Sequence, residues 1–249
     1  MTRPGADSRR PWDLYFLAPA LVDQLRKADR GLIEHKAEEI LGRVIVDYGD
    51  VLYVDNIAAT KETLAAVAER ELSEIRSLSV GKKALEIHGK DVDGQPMRLS
   101  EFRGKVVLLD FGSHEHCGGC KLVYPRLRST LDRLHGRPFV ILGINNHDDR
   151  DALKQAIADG EITWRCWYDG EKPGGPGPIT TSWNIRGYPT FFLIDHRGVI
   201  RSKDDIHPFD TPSFDNAIEA LLKEAEVRAI ESGPRQPDAL ARAWRQRCD

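Results

Sequence analysis

Two nearly unbroken apolar runs, Lys105 to Gly112 (KVVLLDFG) and Pro138 to Asn145 (PFVILGIN), restrict this chain more than any other feature. A strand with one wet face alternates apolar and polar residues, so a continuous run predicts a strand covered on both faces. Between them, Val123, Leu127, Leu131 and Leu134 recur at helical spacing. Strand, helix, strand is the unit of a parallel sheet, because parallel neighbours need a long crossover. Asp149 is placed to cap a helix over RDALKQAIA. ITWRCWY and PTFFLID (189–195) read as further strands, Arg197-Gly198 as a turn, and VIRS as its hairpin partner. Upstream, two short strands flank Asp93-Gly94, a dipeptide suited to the positive φ of a tight turn. A last helix presents Phe214, Ile218, Leu221 and Leu222 inward and closes the unit near residue 228. The predicted fold class is an α/β three-layer sandwich with a central mixed sheet.

Residues 12–79 read differently, as helix. Ile33, Ala37, Ile40, Leu41 and Val44 form one stripe, and Leu64, Val67, Ala68, Leu72 and Ile75 another. VDYGDVLYVDN between them carries a glycine and no clear period. The expected division is a helical N-terminal extension over 1–79, the sandwich over 80–228, and a tail over 229–249 that combines a linker with a short basic helix. A net charge of -3 sets up no basic field that would draw nucleic acid or anionic lipid. Charge breaks every apolar block well short of the ~18 residues a membrane-spanning helix needs. Arg3, Arg9 and Arg10 precede LYFLAPALV, with Ala18-Pro19-Ala20 as a small-x-small site. That site falls inside the apolar stretch rather than after it, so a cytoplasmic location is expected, with export as the alternative. Nothing in the sequence sets an oligomeric state.

Four cysteines, Cys117, Cys120, Cys166 and Cys248, are too few for a disulfide scaffold in 249 residues. The close pair therefore points to reactivity. Cys117 follows a buried strand by a short loop and stands where a helix begins, the end of an open α/β sheet where functional groups gather. Unsatisfied backbone N–H groups there favour thiolate over thiol. Cys117 is thus the expected nucleophile. Cys120, one helical turn on, shares its face and is the expected resolving thiol. Gly118 and Gly119 add little bulk between them. His116, when protonated, would steady the neighbouring thiolate; a solvated loop histidine is the alternative. Cys166, among Trp164, Arg165 and Trp167, is expected to pack as a small apolar side chain. The Gly/Pro-rich stretch 169–178 reads as a surface loop.

GKVVLLDFGSHEHCGGCKLVYP, followed by WNIRGYPTFFLIDHRGVIR, resembles the redoxin branch of the thioredoxin superfamily, the TlpA-like thiol-disulfide oxidoreductases, over about residues 80–225. The dithiol, Pro125 inside the following helix, and Gly-Tyr-Pro-Thr before a strand occur in the family's order. The resemblance implies a thioredoxin-like fold and dithiol–disulfide exchange with a protein disulfide or dithiol. It implies that Pro189 is a cis-proline facing the dithiol, with Tyr188 and Thr190 offering backbone to a bound strand. It makes Asp110 the candidate buried acid that assists proton transfer, with a paired core acid as the alternative. The chain departs from the family where it carries Gly112, His116 and Gly-Gly in place of an aromatic pair and a proline in the motif, and where the loop from Asp110 to Cys117 is one residue longer.

Three rival readings attach to the same residues. A thiol peroxidase, with antioxidant activity, would need a hydroxyl residue and a proline where His114 and Asp110 stand. His114, His116, Cys117 and Cys120 supply donors for zinc or copper, but all four would have to converge from one compact segment, so no metal and no cofactor is expected. A redox-inactive binding module would fit the missing aromatic residues. Intact Cys117, Cys120 and Pro189 favour exchange.

Overall fold

The computed structural model describes residues 29–55, 60–113, 117–146, 149–170, 176–203, 208 and 211–231. The chain divides into two compact units at Ile75/Arg76.

In the first unit, helix α1 spans Arg30–Tyr48 and is capped by Asp29, whose carboxylate accepts from the Leu32 N–H at 3.0 Å. None of its residues is buried: Ile33 and Ile40 lie on the surface, so the apolar stripe read from the sequence is helical without being core. Residues 52–63 correct the all-helical expectation. Strand β1, Leu52–Asp55, pairs antiparallel with β2, Thr60–Thr63. Tyr53, Val54 and the threonines at 60 and 63 favour a pleated backbone, and Gly49 and Asp50 separate them from α1. The Thr63 hydroxyl accepts from the Ala66 N–H at 3.2 Å and starts helix α2, Leu64–Ser77, which buries Ala68 and Leu72.

The second unit opens with a hairpin of β3, His88–Lys90, and β4, Pro96–Arg98. Gly94 takes φ 83°, and the Asp91 carboxylate accepts from the Asp93 and Gln95 N–H groups. The Arg165 guanidinium at 2.7 Å and these backbone donors hold the Asp91 carboxyl below the usual range, against the opposing effect of partial burial. A 3-10 turn, Leu99–Phe102, leads into β5, Val106–Gly112, every residue of which is buried. Helix α3, Gly118–Arg133, follows, then β6, Phe139–Asn145; helix α4, Arg150–Ala158; and β7, Arg165–Tyr168. The chain continues through a short helix α5, Pro178–Ser182, strands β8, Thr190–Ile194, and β9, Ile200–Lys203, and helix α6, Thr211–Glu231.

These strands make a five-stranded sheet in the order β7-β6-β5-β8-β9. β5, β6 and β7 are parallel, and β8 and β9 run antiparallel. Right-handed crossovers taken twice in one direction put α3 and α4 on the same face. Val123, Leu127, Leu153, Phe214, Ile218 and Leu222 accordingly share one core cluster with Leu108 and Ile141. The other face is sealed by the β3–β4 hairpin and α5, which cover Leu109, Phe111, Trp167, Trp183 and Phe192. Both sides of β5 are thus dry, as its apolar run requires.

Starting at the end of the stretch read as a plain loop (169–178), α5 is the element the sequence did not announce. Its first turn is capped from a distance: the buried Asp169 carboxylate accepts from the Ile179 N–H at 2.9 Å and the Thr180 N–H at 2.7 Å.

Candidate active site

The carboxyl ends of β5 and β6 meet the start of α3, and three segments converge there. Cys117 is the N-cap of α3, and its Sγ accepts from the Cys120 N–H at 3.0 Å. Its carbonyl accepts from the Cys120 and Lys121 N–H groups. Cys117 and Cys120 are joined in a disulfide with their Cα atoms 5.3 Å apart. The helix beginning matters chemically, because the Cys120 N–H that donates to the Cys117 sulfur in the oxidised state faces a thiolate after reduction. Cys117 is 9% exposed and Cys120 0%. Gly118 and Gly119 between them are exposed.

The second segment is the turn before β8. The Tyr188–Pro189 peptide bond is cis. A Cβ placed on Gly119 would stand 3.3 Å from Pro189 Cδ, which puts the proline ring against Gly119. The Thr190 hydroxyl donates to the Gly187 carbonyl at 2.9 Å, and Thr190 pairs with Phe111 on β5. Tyr188 is fixed by a residue the sequence reading passed over. The Asn146 amide, just beyond β6, donates to the Tyr188 hydroxyl at 3.0 Å, while the Asn146 N–H donates to the Gly112 carbonyl. The signal in the sequence was a polar residue directly after the second buried run, at the sheet end where functional groups gather.

Asp110 is the third contributor. It lies on β5, 3% exposed, and its Oδ1 has no hydrogen-bond partner among the described residues. The paired core acid considered from the sequence would need a partner that Oδ1 does not have among the described residues. Burial alone pushes its carboxyl up to about 7. A Cβ on Gly112 would lie 3.4 Å from Cys120 Sγ, 3.6 Å from Asp110 Oδ1 and 3.7 Å from the Tyr124 hydroxyl, so acid and inner sulfur stand around one vacant point. An aromatic side chain at 112, as in the family pattern, would have to occupy that point.

His114 and His116 lie outside the described residues, as does Cys248. Among the described residues no group of three or more His, Cys, Asp or Glu side chains is arranged to hold a metal ion. Cys166 is buried and free, as its apolar surroundings suggested. No helix among the described residues is long and apolar enough to cross a membrane.

The profile of the AhpC/TSA family matches residues 80–203. Thioredoxin-like protein YneN of Bacillus subtilis is 28% identical over 130 residues, which cover 51% of this chain and 70% of that protein. Thiol:disulfide interchange protein DsbE of Pseudomonas fluorescens biotype C is 27% identical over 132 residues, 53% of this chain and 69% of that one. Among solved structures, the thioredoxin domain of a thiol-disulfide oxidoreductase from Bacteroides vulgatus matches with a TM-score of 0.50 at 26% identity, covering 59% of this chain and 99% of that one. The sheet order, the dithiol at the head of α3 and these relatives agree: this chain carries a thioredoxin-like domain, similar over residues 80–203 to the redoxin-type domains of thiol-disulfide oxidoreductases.

Proposed function

We propose that this chain exchanges its Cys117–Cys120 dithiol or disulfide with the disulfides or dithiols of protein substrates. One observation carries the reading: a disulfide in the first turn of a helix, with its less buried cysteine at the N-cap and a cis-proline against Gly119, between the two cysteines.

In the reducing direction, the Cys117 thiolate attacks one sulfur of a substrate disulfide. The Cys117–substrate S–S bond forms, the substrate's own S–S bond breaks, and the released thiolate takes a proton from water. Cys120 then gives its proton to the Asp110 carboxylate and attacks Cys117 Sγ. The Cys117–Cys120 bond closes, and the second substrate sulfur leaves as a thiolate. Two electrons pass from the dithiol to the substrate, and oxidation of a substrate dithiol is the reverse. Pro189 positions the substrate, and the backbone of Tyr188 and Thr190 flanks an extended segment of it. His116, beside Cys117 in sequence, adds positive charge next to the thiolate when protonated. The sequence favours the cytoplasm as the location, and the direction of exchange follows from the dithiol's reduction potential against the poise of its compartment.

Alkylation of the reduced protein tests the nucleophile. Cys117 is expected to react with iodoacetamide with a half-maximal pH in the range of roughly 3.5–7.5 seen for thiols at helix N-termini, instead of ~8.5 for a free thiol. A Cys117 that titrates like a peptide thiol would refute the assignment.

The two glycines separate access from stability. Nothing lies within 4 Å of a Cβ on Gly118, so Gly118→Ala is expected to leave exchange with a protein disulfide unchanged and to raise helix stability by up to ~1 kcal/mol. A branched side chain at 119 grows from the point 3.3 Å from the Pro189 ring. Gly119→Val is expected to lower kcat/KM for a protein substrate, measured beside Gly118→Ala in one assay.

A further inference from the structure

Beneath the dithiol, four neighbouring positions of β5 and β6 alternate acid and glycine, then glycine and amide: Asp110 pairs with Gly143, and Gly112 with Asn145. Residues two apart on a strand, and residues paired across strands, share a face. All four therefore address the side covered by α3, with the two glycines on one diagonal. A sulfur leans over each glycine. Cys120 Sγ is 3.4 Å from a Cβ at 112, whereas a Cβ at 143 would lie 2.6 Å from Cys166 Sγ and 3.1 Å from Trp164 Nε1. What remains between them is a water-sized chamber walled by Asp110, Asn145, Tyr124, Trp164 and Cys166.

The two polar corners of that chamber are unsatisfied. Asp110 Oδ1 and Asn145 Oδ1 are both buried without a hydrogen-bond partner among the described residues, on residues each 3% exposed. An acceptor left in that state costs about 1–3 kcal/mol, and buried polar cavities of this size hold water. Two orphan acceptors and room for one molecule match the two hydrogens of a single water.

We propose that this chamber binds one water molecule, which donates one hydrogen bond to Asp110 Oδ1 and the other to Asn145 Oδ1, and that Asn145 is thereby a positioning residue for the acid beside the dithiol. The inference rests on the proposed exchange reaction, in which Asp110 receives the proton of Cys120. A hydrogen bond donated to the carboxylate favours its charged form, the form that accepts that proton. The water thus opposes the effect of burial, which alone would hold the carboxyl up to about 7. The titratable groups around Asp110 are few among the described residues. Cys120 and Tyr124 face it from α3, and Cys166 from β7; its strand partners Gly143 and Phe191 carry no charge. Burial and the nearby acid push the Tyr124 hydroxyl and the Cys166 thiol up, so both stay neutral in the working range. The water is then the adjustable partner.

Two measurements decide the matter. A high-resolution crystal structure of the unmodified protein is expected to show an ordered solvent peak within hydrogen-bonding distance of both Oδ1 atoms, and a dry chamber overturns the proposal without any variant. Asn145→Leu keeps the bulk and removes the acceptor. Loss of the water's anchor is expected to move the midpoint of the pH profile for mixed-disulfide release upward by at least about half a pH unit, a several-fold loss of rate below the midpoint. The pH profile of Cys117 alkylation should stay where it was, a separation that simple loosening of the fold would not give. An unmoved release midpoint overturns the proposal. If the unmodified protein forms no mixed disulfide at all, it is the exchange reading that fails, and the crystallographic water still decides the binding site.

Discussion

Cys120→Ser, mixed with an oxidised protein substrate, leaves Cys117 covalently tied to its partner after a single half-reaction, and multiple turnover ceases. The result follows from the two burial states. Cys117 is the sulfur within reach of an incoming group, so the first bond forms there whether or not the second cysteine is present. Release then depends on an attacker already inside the protein. Cys120 is fully buried one turn along α3, its sulfur bonded to Cys117 in the oxidised state, so no external thiol can replace it at comparable rate. A serine hydroxyl at 120 cannot close an S–S bond. The converse variant, Cys117→Ser, should trap nothing, because the remaining thiol is shielded. Both species can be counted on a non-reducing gel as a band that dithiothreitol dissolves. Equal trapping by the two variants would remove the distinction between attacker and resolver, and trapping by Cys117→Ser alone would reverse it. Serine at either position is close in volume to cysteine, so changes in folding are not expected to blur the comparison.

The site was legible to unequal degrees, for reasons that lie in the range of the interactions involved. Cys117, Cys120 and the start of α3 are local: a buried run, a short loop and a dithiol within one turn are read from adjacent positions. Likewise the Asp149 cap and the Gly94 turn need only their neighbours. Helix α5 escaped notice because its N-terminal cap comes from Asp169, ten residues back, across a Gly/Pro-rich stretch that reads as loop. The β1–β2 hairpin was missed because a short run of mixed residues between two helical stripes carries no reliable period, and only pairing turns it into a strand. Asn145 and Gly143 were invisible, and Asn146 easily passed over, for a further reason. Each gains its meaning from a distant partner: Gly143 and Asn145 from the register that sets them opposite Asp110 and Gly112, Asn146 from the hydrogen bond its amide donates to the tyrosine before Pro189. Cys166 was read correctly as a packed thiol, but the sequence could not say that it packs over the glycine facing the acid.

Asp110→Asn is expected to make the protein more stable and less competent at once, and the sign of each effect can be worked out from the same burial. The unfolded carboxyl titrates near 3.8, whereas burial pushes the folded one up to about 7. Between those values the folded chain keeps a proton that the unfolded chain has lost, so stability falls as pH rises from about 4 towards 7 and levels off above. At ~1.4 kcal/mol per pH unit, the loss at pH 8 is on the order of 4 kcal/mol, and water in the chamber would reduce it. Asparagine cannot ionise. The variant should therefore match the parent near pH 3–4 and exceed it at pH 8, a difference that urea unfolding at a series of pH values would reveal. Release of the mixed disulfide should move the other way. The parent gains an acceptor for the Cys120 proton as the carboxyl ionises, so its release rate climbs with pH up to about 7; the asparagine variant lacks that limb and is slower at pH 8 by about 100-fold, the lower end of what a positioned base contributes. A structural acid would show the stability gain alone. Gain and loss appearing together, on the same pH window, are what identify a buried carboxyl kept in the core for its proton.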